Sequence, residues 1–184
     1  MKYIIRPAAT LFITAVISIA LLSVVYNYTL EPIQMQRKRM HESAMREILP
    51  HASDFQEIPV EKTGSIIAAY EAIEDGDVIG YIVELSPKGY SGHIDLVVGI
   101  STHAERISGV RILRQTETPG LGALAIQEDF YRRFDYRPLI PLGVVRVAPG
   151  ENEINALTAA TITSKAVTDA VNEAIVWYQG GSGR

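Results

Sequence analysis

With 184 residues and no cysteine, the chain has no disulfide, no thiolate-held iron–sulfur cluster and no cysteine nucleophile, so any iron–sulfur chemistry sits on a partner. Residues 31–184 hold all 21 acidic groups and 15 of the 17 basic ones, a formal charge of −6. That portion lacks the basic patch of a nucleic-acid binder and is long enough for one domain with its own core.

The first element is an uncharged run from Ala8 to Thr29, rich in Leu, Ile, Val and Ala and preceded by Lys2 and Arg6. As a helix it reaches about 33 Å, enough for a hydrocarbon core of about 30 Å. Tyr26-Asn27-Tyr28-Thr29-Leu30 does not have the small residues of a cleavage site, and its tyrosines suit a membrane interface, so the segment reads as an uncleaved anchor. Orientation is not fixed by charge, because Lys2 and Arg6 oppose Arg37, Lys38 and Arg39. Glu31 to Leu49 reads as a juxtamembrane helix continuing from the anchor, stopped by Pro50. The expected division is an N-terminus and anchor over 1–30, this helix over 31–50, and a domain over 51–184.

Strands follow. Ile66–Glu74 and Val78–Leu85 flank Asp75-Gly76-Asp77, a hairpin signal because Asp-Gly favours the tight primed turns. A turn-rich loop, Pro87 to Gly92, leads into a strand over His93–Ile100, and Ile107–Arg114 reads as the next. The order is a meander rather than a βαβ series. Pro119-Gly120 forms a type II turn centre, with Pro presetting φ and Gly accepting the positive φ that follows. Ala123 to Phe134 reads as a helix with Leu124, Ile126, Phe130 and Phe134 partly on one face, and Val144–Val147 as a short strand.

The most informative tract is Leu157-Thr158-Ala159-Ala160-Thr161-Ile162-Thr163-Ser164, just ahead of a helix whose apolar side chains recur at Val167, Ala170, Val171, Ala174, Ile175 and Tyr178. Ser164 or Thr163 is the expected N-cap, with Thr161 just outside the first turn. Unpaired N–H groups and the positive end of the helix dipole favour an anion there, although an ordinary capped helix has the same residues. Trp177 and Tyr178 read as core and surface cover, and Gly180 to Arg184 as a frayed end.

His41, His51, His93 and His103 are too scattered for a metal site. There is no Gly-x-Gly-x-x-Gly after a strand and no Walker A loop, and the acid pairs Glu74/Asp75 and Glu128/Asp129 read as solvated surface, so no catalytic residue stands out.

Asn155-Ala156-Leu157-Thr158-Ala159-Ala160-Thr161 resembles the flavinylation motif of the FMN-binding subunits of Rnf and Na+-translocating NADH:quinone reductase complexes, in which Asp, two variable residues, Ser or Thr, Gly, Ala and Thr run in sequence. Asn155 replaces the usual Asp and loses its charge; Ala159 replaces the usual Gly and disfavours positive φ. Gly89-Tyr90-Ser91-Gly92 entering a strand also resembles the family, and the anchor, the loop Glu117-Thr118-Pro119-Gly120-Leu121-Gly122 that the family places beside the isoalloxazine, and the Thr161 tract occur in family order.

The resemblance implies an α+β protein, one N-terminal transmembrane helix followed by a single FMN-binding domain with an antiparallel meander sheet and packed helices. It implies FMN in phosphodiester linkage to Thr161, with Thr158, Ala159, Ala160, Thr163 and Ser164 shaping the phosphate site. In the 117–122 loop it implies Gly120 and Gly122 for close approach to the ring, Glu117 or Thr118 as hydrogen-bond partners, and Pro119 and Leu121 beside it; Tyr90 is a stacking candidate or an ordinary loop tyrosine. The implied partners are the bilayer, the other membrane, iron–sulfur and flavin subunits, and a flavin transferase during maturation. The implied location is the cytoplasmic membrane, N-terminus inside and flavin domain outside. The short soluble domain favours the Rnf branch, where electron flow from ferredoxin to NAD+ is coupled to Na+ or H+ translocation. The quinone-reductase branch and a non-redox tethered domain with a degenerate site are the alternatives.

Overall fold

A computed structural model describes residues 2–61 and 63–182; Gly183 and Arg184, part of the expected frayed end, lie outside the described residues. The chain divides between His41 and Glu42 into two compact units. Helix α1 (Lys2–Ile48) supplies the described residues of the first and begins the second.

In the first unit, an 18-residue window of mean hydropathy 2.5 has none of its residues buried within the protein. Leu11, Phe12 and Leu22 all stand exposed. A band of this kind is costly in water and suited to hydrocarbon. The hydroxyls of Thr10, Thr14 and Thr29 donate back to the carbonyls of Arg6, Leu11 and Val25 at 3.0, 2.9 and 2.8 Å, so they enter the apolar segment already satisfied.

The second unit is built on an antiparallel sheet of five strands in the order β1-β2-β3-β4-β5: Asp54–Ile58, Ile66–Glu74, Asp77–Leu85, Asp95–Ser101 and Arg106–Arg114. This is the expected meander, with β1 added at its edge. Asp75 and Gly76 join β2 to β3 with φ of 51° and 94°, the positive pair that a type I′ turn demands.

Both sheet faces are covered. On one, Val83, Leu85, Leu96, Val98, Val110 and Ile112 pack with α3 (Thr161–Trp177), whose Val167, Ala170, Val171, Ala174 and Ile175 form the expected apolar stripe. On the other, Ala72, Ile79, Ile82 and Val97 cluster with Ala44, Met45, Ile48, Leu49 and Ala52, so roughly the last two turns of the juxtamembrane helix are core. Glycines make that seat possible. Gly99 pairs across the sheet with Gly109, and a Cβ on Gly99 would collide with Ile48, while one on Gly80 would meet Leu49.

The expected helix over 123–134 is instead broken into a 3₁₀ turn (Gly122–Ile126), one α-turn labelled α2 (Glu128–Tyr131) and a second 3₁₀ turn (Arg132–Phe134). Gln127, extended at φ −79° and ψ 145°, makes the break. Ala125, Phe130 and Phe134 are all fully buried, and a straight helix would put Ala125 and Phe130 on different faces. Ile126, expected inward, is exposed. Strands β6 (Gly143–Val145) and β7 (Glu153–Asn155) then form a separate parallel pair that leads to α3.

Candidate functional site

Helix α3 begins earlier than expected. Thr161 is its first residue, and Ala160 occupies the N-cap with φ −132° and ψ 45° and no side-chain cap. The first i→i−4 bond runs from Ser164 N–H to the Ala160 carbonyl at 3.0 Å, which places the N–H groups of Thr161, Ile162 and Thr163 before it. The two residues expected as caps are committed elsewhere. Ser164 Oγ donates to the Ala160 carbonyl at 3.0 Å and accepts from Leu157 N–H at 2.9 Å, tying the preceding turn to the helix. Thr163 donates its hydroxyl to Glu117. The result is an uncapped helix start whose dipole and N–H groups remain available to an anion.

Ala159 has φ 59°, so the turn before the helix uses the left-handed conformation at the position where the resembling motif carries Gly. That conformation is costly for alanine, by about 1–2 kcal/mol.

Two clefts open at this helix start. The larger, about 470 Å³, is lined by Tyr90, Glu117, Thr118, Leu121, Gly122, Arg146 and the run from Ala159 to Thr163. The smaller, about 360 Å³, is lined by Arg146, Ala156, Leu157, Thr158, Ala159 and Thr161. Arg146, Ala159 and Thr161 belong to both. Thr161, whose Oγ1 makes no hydrogen bond among the described residues, unlike the hydroxyls of Thr163 and Ser164, lines both openings. Each volume falls in the range of small-ligand and cofactor sites. Pro119, Gly120 and Ser164 line neither cleft.

Glu117 organises the larger cleft. Its buried carboxylate accepts the N–H of Ser91 at 2.8 Å, the N–H of Tyr90 at 3.2 Å and the Thr163 hydroxyl, linking three segments distant in sequence. Burial opposes its charge, yet the Thr163 hydroxyl and the N–H groups of Ser91, Tyr90 and Gly92 together outweigh burial and hold the carboxyl below its ordinary pKa. Its oxygens are therefore turned to the protein rather than free for a ring.

The neighbouring glycines serve this knot. A Cβ on Gly122 would lie 2.5 Å from Thr163 Oγ1 and 2.7 Å from Glu117 Oε2, and one on Gly89 would lie 2.7 Å from Glu117 Oε1. Gly120 differs, having open space around it but φ 77°, with Leu121 N–H bonded to the Thr118 carbonyl at 3.1 Å. That is the expected type II turn. Tyr90, 70% exposed, Leu121 and Ile162 give the cleft an apolar rim.

Asn155 ends β7 and lines neither cleft; Arg133 donates to its carbonyl at 2.5 Å, and its side-chain Oδ1 is buried without a hydrogen bond among the described residues. Sequence reasoning places Arg146 only within a short strand. The strand ends at Val145, and Arg146 follows in a bend that carries it to both clefts. Its one sequence signal is isolation, as the sole basic residue between Arg137 and Lys165.

The chain is similar to known proteins in sequence and in fold. Residues 89–176, which include the Glu117 loop and the start of α3, match the FMN-binding domain family. The chain is 30% identical to the G subunit of the ion-translocating oxidoreductase complex of Methanosarcina acetivorans, covering 99% of this chain and 98% of that protein. It is 31% identical to the G subunit of the Na(+)-translocating ferredoxin:NAD(+) oxidoreductase complex of Acetobacterium woodii, covering 97% and 93%. Its fold is similar to the crystal structure of the C subunit of the Na(+)-translocating NADH-quinone reductase from Parabacteroides distasonis, with a TM-score of 0.54 and 22% identity over 69% of this chain and 76% of that one.

Proposed function

The chain belongs to the G-subunit family of ion-translocating oxidoreductase complexes, and from that membership we propose that it carries FMN bound covalently through Thr161. It is a membrane-bound, FMN-binding electron-transfer subunit of an Rnf-type complex, which couples ferredoxin:NAD+ electron transfer to ion translocation. Relatives of near full length are G subunits, whereas the likeness to the quinone-reductase subunit is one of fold.

The carrying observation is a Thr161 hydroxyl without a hydrogen bond among the described residues, at an uncapped helix start that borders two clefts. These residues fit the cofactor. The N–H groups of Thr161, Ile162 and Thr163 would hold the phosphate, and Tyr90, Leu121 and Ile162 offer apolar surface to a flat ring, while Glu117 fixes the surrounding loops. When bound, FMN accepts and releases electrons, and the protein sets its place and surroundings. No nicotinamide site is required on this chain.

A threonine hydroxyl is a weak nucleophile, so attachment needs an activating base or metal. The family resemblance supplies a Mg2+-dependent flavin transferase with FAD as donor. Thr161 Oγ bonds to the phosphorus of the FMN half, the phosphorus–oxygen bond to AMP breaks, AMP leaves, and the hydroxyl proton passes to the transferase's base or solvent.

Thr161→Val keeps the β-branched shape and deletes the oxygen. Co-expressed with the transferase, wild type gains the mass of one FMN less water on the peptide containing Thr161, and the variant gains none. Flavin on the variant overturns the assignment. So does an unmodified wild type beside a modified relative that has Asp and Gly where this chain has Asn155 and Ala159; that result favours the non-redox alternative.

A further inference from the structure

We propose that Arg146 is the anion-holding residue of this site, its guanidinium pairing with the phosphodiester that joins FMN to Thr161. The proposal rests on the Thr161 reading above and goes beyond it by assigning the counter-charge to a residue outside the threonine tract.

Topology supplies the first argument. Arg146 and Thr161 border both clefts, so a group bonded to Thr161 Oγ1 and projecting into either cleft shares that cleft with Arg146. Charge supplies the second. Among the described lining residues Arg146 is the one cation, and the one carboxylate, Glu117, is already bonded to Ser91, Tyr90 and Thr163. A bound phosphodiester monoanion would otherwise have only backbone dipoles to balance it.

The third argument is that Arg146 is unspent. Arg106, Arg111, Arg114, Arg132, Arg133 and Arg137 each hold a carbonyl or a carboxylate. Arg146 makes no hydrogen bond or ion pair among the described residues. Its loop is nevertheless held in place. Gly150 N–H donates to Glu153 at 2.9 Å, and Arg137 donates to the carbonyls of Gly150 and Glu151 at 3.2 and 2.6 Å. A guanidinium on an anchored loop presents two parallel N–H donors, the geometry that phosphate oxygens accept.

The test uses the full-length protein in detergent with the transferase and FAD. Lys165→Gln is the control, because it removes the same charge one turn into α3 from a side chain already paired with Asp169 at 2.7 Å. At limiting FAD, Arg146→Gln slows attachment by about 10-fold, as expected for loss of a charge-assisted hydrogen bond. Arg146→Lys recovers part of the rate, and Lys165→Gln leaves it unchanged. In fully flavinylated protein, the 31P resonance of the phosphodiester moves in Arg146→Gln and stays in Lys165→Gln.

Wild-type attachment rate in Arg146→Gln overturns the proposal. A slowed rate with an unmoved 31P resonance also overturns it, since Arg146 then serves the encounter with the transferase. Both outcomes leave flavin on wild-type Thr161, whereas a wild type that takes no flavin removes the underlying reading and this proposal together.

Discussion

Replacing Ala159 by glycine stabilises the domain, although alanine-to-glycine changes ordinarily do the reverse. The methyl group is exposed, so no packing is lost, and φ of 59° puts the residue in the left-handed basin. Alanine there costs about 1–2 kcal/mol, while glycine adds about 0.4–1 kcal/mol of chain entropy to the unfolded state, which leaves a net gain centred on about 0.8 kcal/mol. Trp177, the only tryptophan, is 9% exposed and lies edge-on to Tyr81 at 6.0 Å, so its fluorescence reports the unfolding of this domain. With a urea slope of about 2 kcal/mol/M, the midpoint of Ala159→Gly rises by about 0.4 M. A midpoint lowered by a similar amount is what glycine does in right-handed backbone, and it would refute a left-handed residue 159.

Glu117→Gln lowers stability by about 1–3 kcal/mol near neutral pH, because the amide cannot accept all the donors gathered there. Since folding depresses the Glu117 pKa, its contribution is full above the ordinary value of 4.5 and is lost as pH falls through the folded value; urea midpoints of variant and wild type should converge below that point, and a constant gap would count against it. Gly122→Ala forces a methyl to 2.5 Å from Thr163 Oγ1 and costs about 1–3 kcal/mol, read as a lowered Trp177 midpoint; an unchanged midpoint removes the packing argument. For sidedness, a single cysteine at the exposed turn residue His103 is labelled by a membrane-impermeant thiol reagent in right-side-out vesicles, and labelling confined to inverted vesicles would reverse the proposed orientation.

The elements that can be read from sequence are those whose local chemistry coincides with their tertiary role. Asp75-Gly76 favours a tight primed turn by its own chemistry, Pro119-Gly120 closes its own turn, and the α3 stripe faces the sheet. Strand β1 escapes sequence reasoning because Asp54-Phe55-Gln56-Glu57-Ile58 is an edge strand, mostly polar, that owes its form to pairing with β2. The three-residue strands β6 and β7 carry too little pattern to register as a parallel pair. The break at Gln127 follows from burying Ala125, Phe130 and Phe134 together, which local helix propensity does not reveal. In the site, the threonine tract and the 117–122 loop are visible as motifs, but the directions of their side chains are not. Thr163 reaches Glu117, 46 residues away, and Ser164 turns back to the loop, so neither acts as the cap that its residue type suggests. Arg146 becomes visible only when the fold brings β6 beside the start of α3.

The seating of the end of α1 against Gly80, Gly99 and Gly109 has a consequence in time. Ala44, Met45, Ile48 and Leu49 leave the ribosome before the strands that cover them, and Gly109 follows Leu49 by about 60 residues, an interval of roughly 3–12 s at ordinary synthesis rates. During that interval the apolar patch is uncovered. Synthesis that stalls after β3 leaves it so, because Val97 and the Gly99–Gly109 seat have not been made. The nascent protein thus carries an uncovered apolar patch, a surface for aggregation and for degradation, until β4 and β5 are made, well before the threonine tract is synthesised.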